Sequence, residues 1–443
     1  MRQVGGVLFG IIGDRMGRLV ALRISIVAML VPAIGIIFLP PYQSCEQSGE
    51  EGEEGECVVV LGVMASVLLV LLRLVQGVSV GGELVGAITY SLECAGRHRR
   101  GLLGAFIQIS GSIGGLLATS VVAVTRAALT ARQFGAWGWR VPFAVGLALP
   151  IGGLLLRRSL RESPAFLKMR ELTREMAEAA RQRAAERRAA GAAGAAAGAT
   201  ATTAAVADGP PSDGPTLQPS PPSAATTTTT TTTTTSNPLR KMLRSNKARV
   251  GRMIALSLLW QAGGYVTLVW LPAYLSSLRQ PPVHDAFALH VGVYIIYISS
   301  MLLSGAAADR LGARRMMLAG TVGSAVAFPA LMAALSPGAG AGDAGCLLAH
   351  GLLAHVLTWY AAPLTGHLFG MASDVSTRFS TLGTATNLSS ALFGGTAPIV
   401  ATLLVGAVLP GTAIGAGLYV SALAVPGIAV LLTETSRSPS GSP

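Results

Sequence analysis

Three ionisable residues fall in or at the end of one apolar stretch: Arg73, Glu83 and Glu93, in Arg73-Leu-Val-Gln76-Gly77-Val-Ser79-Val-Gly81-Gly82-Glu83 and the residues that follow. A carboxyl in apolar surroundings can pass between an ionised, paired state and a protonated, neutral one, which is the chemistry that proton coupling needs. Arg73 and Glu83 are ten residues apart, so on one helix their side chains stand about 15 Å apart along the axis. They cannot neutralise each other directly. Each therefore needs a partner on another helix, a wet cavity or, for Glu83, a proton. Arg73 and Glu83 are the candidates for proton coupling or substrate orientation. Glu93 sits near Arg97, Arg99 and Arg100 and is expected to pair with Arg99 and Arg100.

A second pattern occurs twice. Gly10-Ile-Ile-Gly-Asp14-Arg15-Met-Gly17-Arg18 is matched by Gly305-Ala-Ala-Ala-Asp309-Arg310-Leu-Gly312-Ala-Arg314-Arg315, with Asp14 and Asp309 separated by 295 residues. Gly permits a tight reversal, Asp can accept backbone N–H bonds or an Arg partner, and the Arg residues anchor to a charged surface. One copy would read as an ordinary hairpin. Two copies in register read as an internal repeat, a mark of helical membrane transporters.

The elements that must hold these residues follow from composition. Of 443 residues 51% are apolar and 12% charged, about half the charge of a soluble domain. Mean hydropathy is +0.56. Apolar runs at 19–40, 58–92, 101–125, 138–157, 250–277, 286–308, 314–336, 345–372, 380–408 and 412–432 are each long enough to cross a bilayer as a helix. Residues 3–12 add an apolar stub. The runs are continuous rather than alternating, which excludes a membrane β-barrel. The fold class is an all-α polytopic membrane protein.

The net charge of +12 is topological. Arg15, Arg18, Arg97, Arg99, Arg100, Arg310, Arg314, Arg315 and Arg378 share one side, and an acidic loop from Glu46 to Glu56 lies on the other. The Arg-rich side is cytoplasmic by the positive-inside rule, with the loop 126–140 (Arg126, Arg132, Arg140) as a local exception. No basic face interleaved with aromatics suggests nucleic acid. No Cys/His cluster suggests a metal, and no cofactor is implied. Cys45 and Cys57 flank the acidic loop and could form a disulfide if it faces an oxidising compartment; two separate thiols fit equally well.

Residues 1–160 form an N-terminal bundle, 161–249 a cytoplasmic linker, 250–433 a C-terminal bundle and 434–443 a cytoplasmic tail. The linker opens with mixed charges that suit a solvated helix. It passes through Ala/Gly and Pro/Ser to the tract Thr226–Thr235 and is expected to be largely disordered.

At the repeated loop the chain resembles the major facilitator superfamily, whose Gly-x-x-x-Asp-Arg-x-Gly-Arg loops lie between helices two and three and between eight and nine. Within it, the Arg73–Glu83 segment is similar to the fourth-helix signature of the metabolite:proton symporter family, which includes proline/betaine, α-ketoglutarate and citrate permeases. Glu93 with Arg99-Arg100-Gly101, Trp137-Gly-Trp-Arg140-Val-Pro142-Phe143, Arg161-Glu-Ser-Pro-Ala-Phe166, Trp270-Leu-Pro-Ala-Tyr274 and Arg378-Phe-Ser380 agree. The resemblance implies two six-helix bundles related by a pseudo-two-fold axis. Met1-Arg2-Gln3-Val4-Gly5-Gly6 matches a point midway through helix two, so helix one and the start of helix two are expected to be missing.

The resemblance also implies that Asp14 and Asp309 gate the cycle near the opposite half's helix eleven or five. Gln108, Gln261, Tyr265, Trp270, Trp359, Tyr360 and Asn387 are polar or aromatic within spans and are the substrate-cavity candidates; packing explains each one equally well. The expected function is secondary active transport, proton-coupled symport of a small polar organic metabolite such as an organic acid, amino acid or betaine-like osmolyte. A sugar porter is the rival within the class, and a non-transporting sensor or truncated remnant the rival outside it. No enzyme chemistry is expected. The partners are the small-molecule substrate, protons and the lipid bilayer. The chain is expected to be a monomer in the plasma membrane, with an organelle membrane as the alternative.

Overall fold

The computed structural model describes residues 1–40, 54–96, 99–205, 247–283, 286–338, 340 and 342–434. Within these, the elements in chain order are α1 (Arg2–Arg15), α2 (Arg18–Ile37), α3 (Glu54–Cys94), α4 (Arg100–Ala128), α5 (Arg140–Arg158), α6 (Pro164–Ala205), α7 (Lys247–Leu278), α8 (Ala286–Leu311), α9 (Ala313–Ala334), α10 (Asp343–Met371), α11 (Arg378–Val408) and α12 (Ile414–Thr433). Ten of them are long and apolar enough to span a membrane; α1 and α6 are the exceptions. In hydrocarbon every backbone polar group must be satisfied within the segment, and helices achieve this.

Two compact units result. The first joins residues 1–166 to 237–443 and holds all ten spans. Its first half is α1–α5 and its second α7–α12. The second unit, residues 167–236, holds most of α6. Composition alone assigns the Ala/Gly run to a disordered linker, yet α6 continues through it to Ala205. Alanine has the highest helix propensity, and Arg174–Glu178 adds an i,i+4 pair at 2.9 Å. The remainder of that linker (206–246), the acidic loop with Cys45, the Cys57 side chain and the tail from 435 lie outside the described residues.

Both repeat loops turn on a glycine with positive φ: Gly17 at 116° before α2 and Gly312 at 95° before α9. A side chain would be strained in that conformation. The local exception to the charge rule also has a structural use. Arg140 donates from Nε to the Ile37 carbonyl at 2.9 Å and also binds the Leu39 carbonyl, both at the C-terminal end of α2. Arg279 does the same for α9, donating to the Leu335 carbonyl at 3.1 Å. These arginines satisfy carbonyls that a helix end leaves open.

Candidate functional site: an Arg-rich latch and a polar cluster

At the Arg-rich end three carboxylates join the two halves, Asp14 and Asp309 through backbone N–H groups and Glu93 through Arg378. The Asp14 carboxylate, at the end of α1, accepts the backbone N–H groups of Phe379 (3.1 Å) and Ser380 (2.9 Å) in the first turn of α11. Asp309, at the end of α8, accepts those of Gly101 (2.7 Å) and Leu102 (3.0 Å) in the first turn of α4. Each half thus supplies a carboxylate to a helix N-terminus of the other, where unpaired N–H groups and the helix dipole favour negative charge. The leading glycines of the motif make the approach possible. A Cβ on Gly10 would lie 2.8 Å from Ser380 Cα, and one on Gly305 would lie 2.7 Å from Ala105 Cβ. Both contacts join the halves at this end, and beside the second lies a cavity of about 480 Å³ lined by Arg100, Asp309 and His367.

The two copies differ in depth. Asp14 is buried, whereas Asp309 is exposed. Beneath Asp14 lies a knot of charge. The fully buried Arg18 guanidinium stands 3.4 Å from Asp14, pairs with the Glu93 carboxylate at 3.1 Å, donates to the carbonyls of Gly13 and Val375 at 2.7 Å each, and lies over the Phe166 ring. Arg378 adds a second cation to Glu93 at 3.0 Å, and the Ser163 hydroxyl donates to the same carboxylate. Glu162 accepts the N–H groups of Arg18 and Leu19, each at 3.1 Å, and so caps α2.

This corrects the pairing expected for Glu93. Its partners are Arg18 and Arg378, from α2 and α11, rather than Arg99 and Arg100. Arg99 and Arg100 open α4, which packs on α8 instead, and Arg100 lies over the Phe369 ring 5.1 Å away. Arg15, Arg310 and Arg315 are exposed; Arg314 donates to the Leu431 carbonyl near the end of α12 at 2.8 Å. There too His367 approaches Glu434 to 3.1 Å, and that hydrogen bond holds the Glu434 carboxyl below its usual range.

Glu83 meets other helices. It forms an ion pair with Arg157 of α5 and accepts the Ser25 hydroxyl of α2 at 2.6 Å, while Arg157 also donates to the Leu22 carbonyl at 2.7 Å. Nothing in the sequence pattern singled out Arg157, because it stands beside Arg158 at a helix end and reads as a topological charge. Arg73 does not join Glu83. Its guanidinium donates to Gln76 at 2.6 Å, lies over the Phe143 ring and lines a cavity of about 290 Å³ with Trp139 and Phe143.

Of the cavity candidates, three converge. On α7, Gln261 donates its amide to the Thr386 carbonyl at 3.3 Å, and the Tyr265 ring abuts Gly394, where a Cβ would lie 2.8 Å away. On α11, Asn387 donates to the carbonyls of Gly81 (3.1 Å) and Gly383 (2.9 Å). They surround a π-helical turn at Ser390–Gly394. Such turns interrupt regular helix hydrogen bonding and recur at functional sites. Gln108 is half-buried on α4.

The other three are not gathered there. Trp270 donates to Thr402 at 2.9 Å and stacks on Tyr274, and the wholly buried Tyr360 hydroxyl donates to the Leu256 carbonyl. Trp359 is 40% exposed and shares its helix face with exposed Leu348 and Leu352. Their types permitted a cavity role; their helix faces turn them elsewhere.

Reciprocal carboxylate contacts thus join two halves built from a repeated helix–loop motif, and residues 2–406 match the family described as sugar (and other) transporter. The chain belongs to that family, within the major facilitator superfamily. The transporter is 28% identical over 453 residues to a Staphylococcus aureus (strain COL) protein, with 100% of this chain and 78% of the relative covered. It is 27% identical over 407 residues to the Salmonella typhimurium proline/betaine transporter, covering 91% of this chain and 67% of that one. Among solved structures, the proton:xylose symporter XylE bound to 6-bromo-6-deoxy-D-glucose superposes with a TM-score of 0.67 at 19% identity, covering 99% of this chain and 84% of that one. At that identity the likeness concerns the fold. The transporter is a multi-pass protein of the plasma membrane, and its family is not one of enzymes.

Proposed function

We propose that the transporter carries a small polar organic metabolite, of the amino-acid, betaine or organic-acid class, together with protons, by alternating access. The pair of reciprocal Asp-to-helix contacts carries this reading. Each is made of charge-assisted hydrogen bonds that can open and re-form without covalent change, so together they can hold one end shut until the opposite end has loaded. Glu83 is the coupling residue in this scheme. Its carboxylate faces Arg157 and the Ser25 hydroxyl across three helices of one half, and protonation would release Arg157 and loosen that half. Gln261, Tyr265 and Asn387 contact the solute, and Arg73 meets it only at the separate cavity it lines with Trp139 and Phe143. The names of the Salmonella typhimurium and other proline/betaine relatives favour zwitterionic substrates; the family description keeps a sugar as the competitor.

The test is uptake into proteoliposomes under an imposed inward proton gradient, with glycine betaine, L-proline, α-ketoglutarate and xylose as radiolabelled probes. Accumulation of one of the first three that collapses with a protonophore is the expected result. Accumulation indifferent to the protonophore overturns the coupling, and accumulation of xylose alone overturns the substrate class.

A further inference from the structure

Arg2 has a placement that the transport scheme does not yet use. It lies twelve residues before Asp14 on α1, about 18 Å from the latch along the helix axis and hence near the middle of a hydrocarbon core about 30 Å thick. Its side chain is part-buried and reaches across to the other half. Nε donates to Asn387 Oδ1 at 2.9 Å and Nη1 to Ser390 Oγ at 3.4 Å. Both acceptors are neutral. A guanidinium held at this depth ordinarily has an anionic partner, and among the described residues no carboxylate pairs with it. Ser390 is also the first residue of the π-helical turn on which Gln261 and Tyr265 converge.

The repeat argues that this charge is no part of the scaffold. The position corresponding to Arg2 in the second copy, twelve residues before Asp309, is Tyr297, which is buried and stacked on Trp260. Helix α8 therefore packs across to α4 without a cation at that level, whereas α1 carries one facing α11. Gly6 and Gly10, four and eight residues on from Arg2, face α11 too: a Cβ on Gly6 would stand 2.9 Å from the Gly383 carbonyl. Arg2 thus points along the seam between the halves rather than toward lipid.

The geometry points to Arg2 as the anchor for a carboxylate on the transported solute, at the seam between α1 and α11. The assignment rests on the transport reading above and names the residue that would hold the carboxylate its substrate classes share. In the closed arrangement Asn387 and Ser390 occupy the guanidinium. A bound carboxylate would replace these neutral acceptors with a bidentate, charge-assisted pair, and Asn387 Oδ1 would be left to accept a hydrogen bond from the rest of the solute while its amide holds the Gly81 and Gly383 carbonyls.

The experiment is calorimetric binding and uptake by the purified full chain, with glycine betaine, L-proline and α-ketoglutarate against the analogues choline and L-prolinamide, which lack the carboxylate. At least one carboxylate is expected to bind tenfold or more tightly than its analogue. Arg2→Gln should abolish that preference, and Arg2→Lys should keep part of it. Ser390→Asp places a carboxylate beside the guanidinium at a position whose hydroxyl accepts from Arg2; it should weaken binding at least tenfold while the chain still unfolds cooperatively, so the test stands even if Arg2→Gln misfolds. Unchanged preference in Arg2→Gln, unchanged affinity in Ser390→Asp, or no carboxylate bound by the wild type each overturns the anchor. Carboxylate uptake that Arg2→Gln leaves intact overturns it and keeps the transport reading. Carboxylate binding that Arg2→Gln abolishes, in a wild type that takes up no probe, keeps the anchor and overturns the transport reading.

Discussion

Replacing Asp14 by Asn perturbs the buried latch with little change of shape. The carboxylate accepts two backbone N–H groups, at 3.1 and 2.9 Å, in the first turn of α11. Asn keeps one carbonyl acceptor and turns an N–H₂ toward the second donor. The lost bond to a charged group is worth about 1.5–3 kcal/mol, and the lost charge at a partly buried helix N-terminus about 1–2 kcal/mol. Against this, the variant no longer has to desolvate a carboxylate on closing, and Arg18 keeps Glu93 as its counter-ion. A net cost of about 2 kcal/mol to the closed state is expected, or about a 30-fold shift toward opening. Asp309 makes bonds of 2.7 and 3.0 Å but is exposed. Water competes there, so Asp309→Asn should cost no more than about 1 kcal/mol, or about fivefold. Spin labels at Met16 and Leu311, both exposed at the latch end and one in each half, read the separation by pulsed electron resonance in a chain freed of native cysteines. The long-distance population should grow in both variants and more in Asp14→Asn. Unchanged distributions, or a larger effect from Asp309→Asn, would refute the reasoning.

Glu83→Gln mimics the protonated carboxyl and should abolish proton-driven accumulation while sparing substrate counterflow; normal accumulation removes Glu83 from the coupling. Arg18→Gln strips one of two cations from a fully buried carboxylate and should destabilise the fold by about 3–5 kcal/mol, read as a drop in melting temperature in detergent. An unchanged melting temperature would mean that Arg378 alone satisfies Glu93. Gly383→Ala would bring a Cβ to 2.7 Å from the Gly6 carbonyl and, at an overpacking cost of about 1–3 kcal/mol, should wedge α1 from α11 and widen the Met16–Leu311 distance; no widening would place the helix seam elsewhere. Arg140→Ala should lower stability by about 1–2 kcal/mol by leaving the Ile37 and Leu39 carbonyls to water, checked by chemical denaturation.

The ten spans were legible because length and hydropathy alone decide what can cross a bilayer, and the repeat because Gly, Asp, Arg and Gly recur in register. What each side chain meets was less legible. Glu93 has three arginines within seven residues, yet it pairs with Arg18 and Arg378, because packing of α3 against α2 and α11 outweighs nearness in sequence. Arg140 reads as a loop charge and Arg157 as the last residue of an apolar run, yet they serve the end of α2 and Glu83. Trp359 and Tyr360 are adjacent in sequence and look equivalent, but a helix turns neighbours by 100°, so one faces outward and the other is sealed in the core. Arg2 served in the sequence only to match Met1–Gly6 to a point midway through helix two. A lone cation beside glycines gains meaning only when Asn387 and Ser390, almost four hundred residues away, are seen around it.

The central claim is that solute and proton enter together. It is tested most directly by sealing a pH-sensitive dye inside proteoliposomes and adding glycine betaine, L-proline or α-ketoglutarate outside with no gradient imposed. Symport predicts that the lumen acidifies as labelled solute enters, in fixed proportion, and that Glu83→Gln breaks that proportion. Solute entry with a steady lumenal pH would contradict the account.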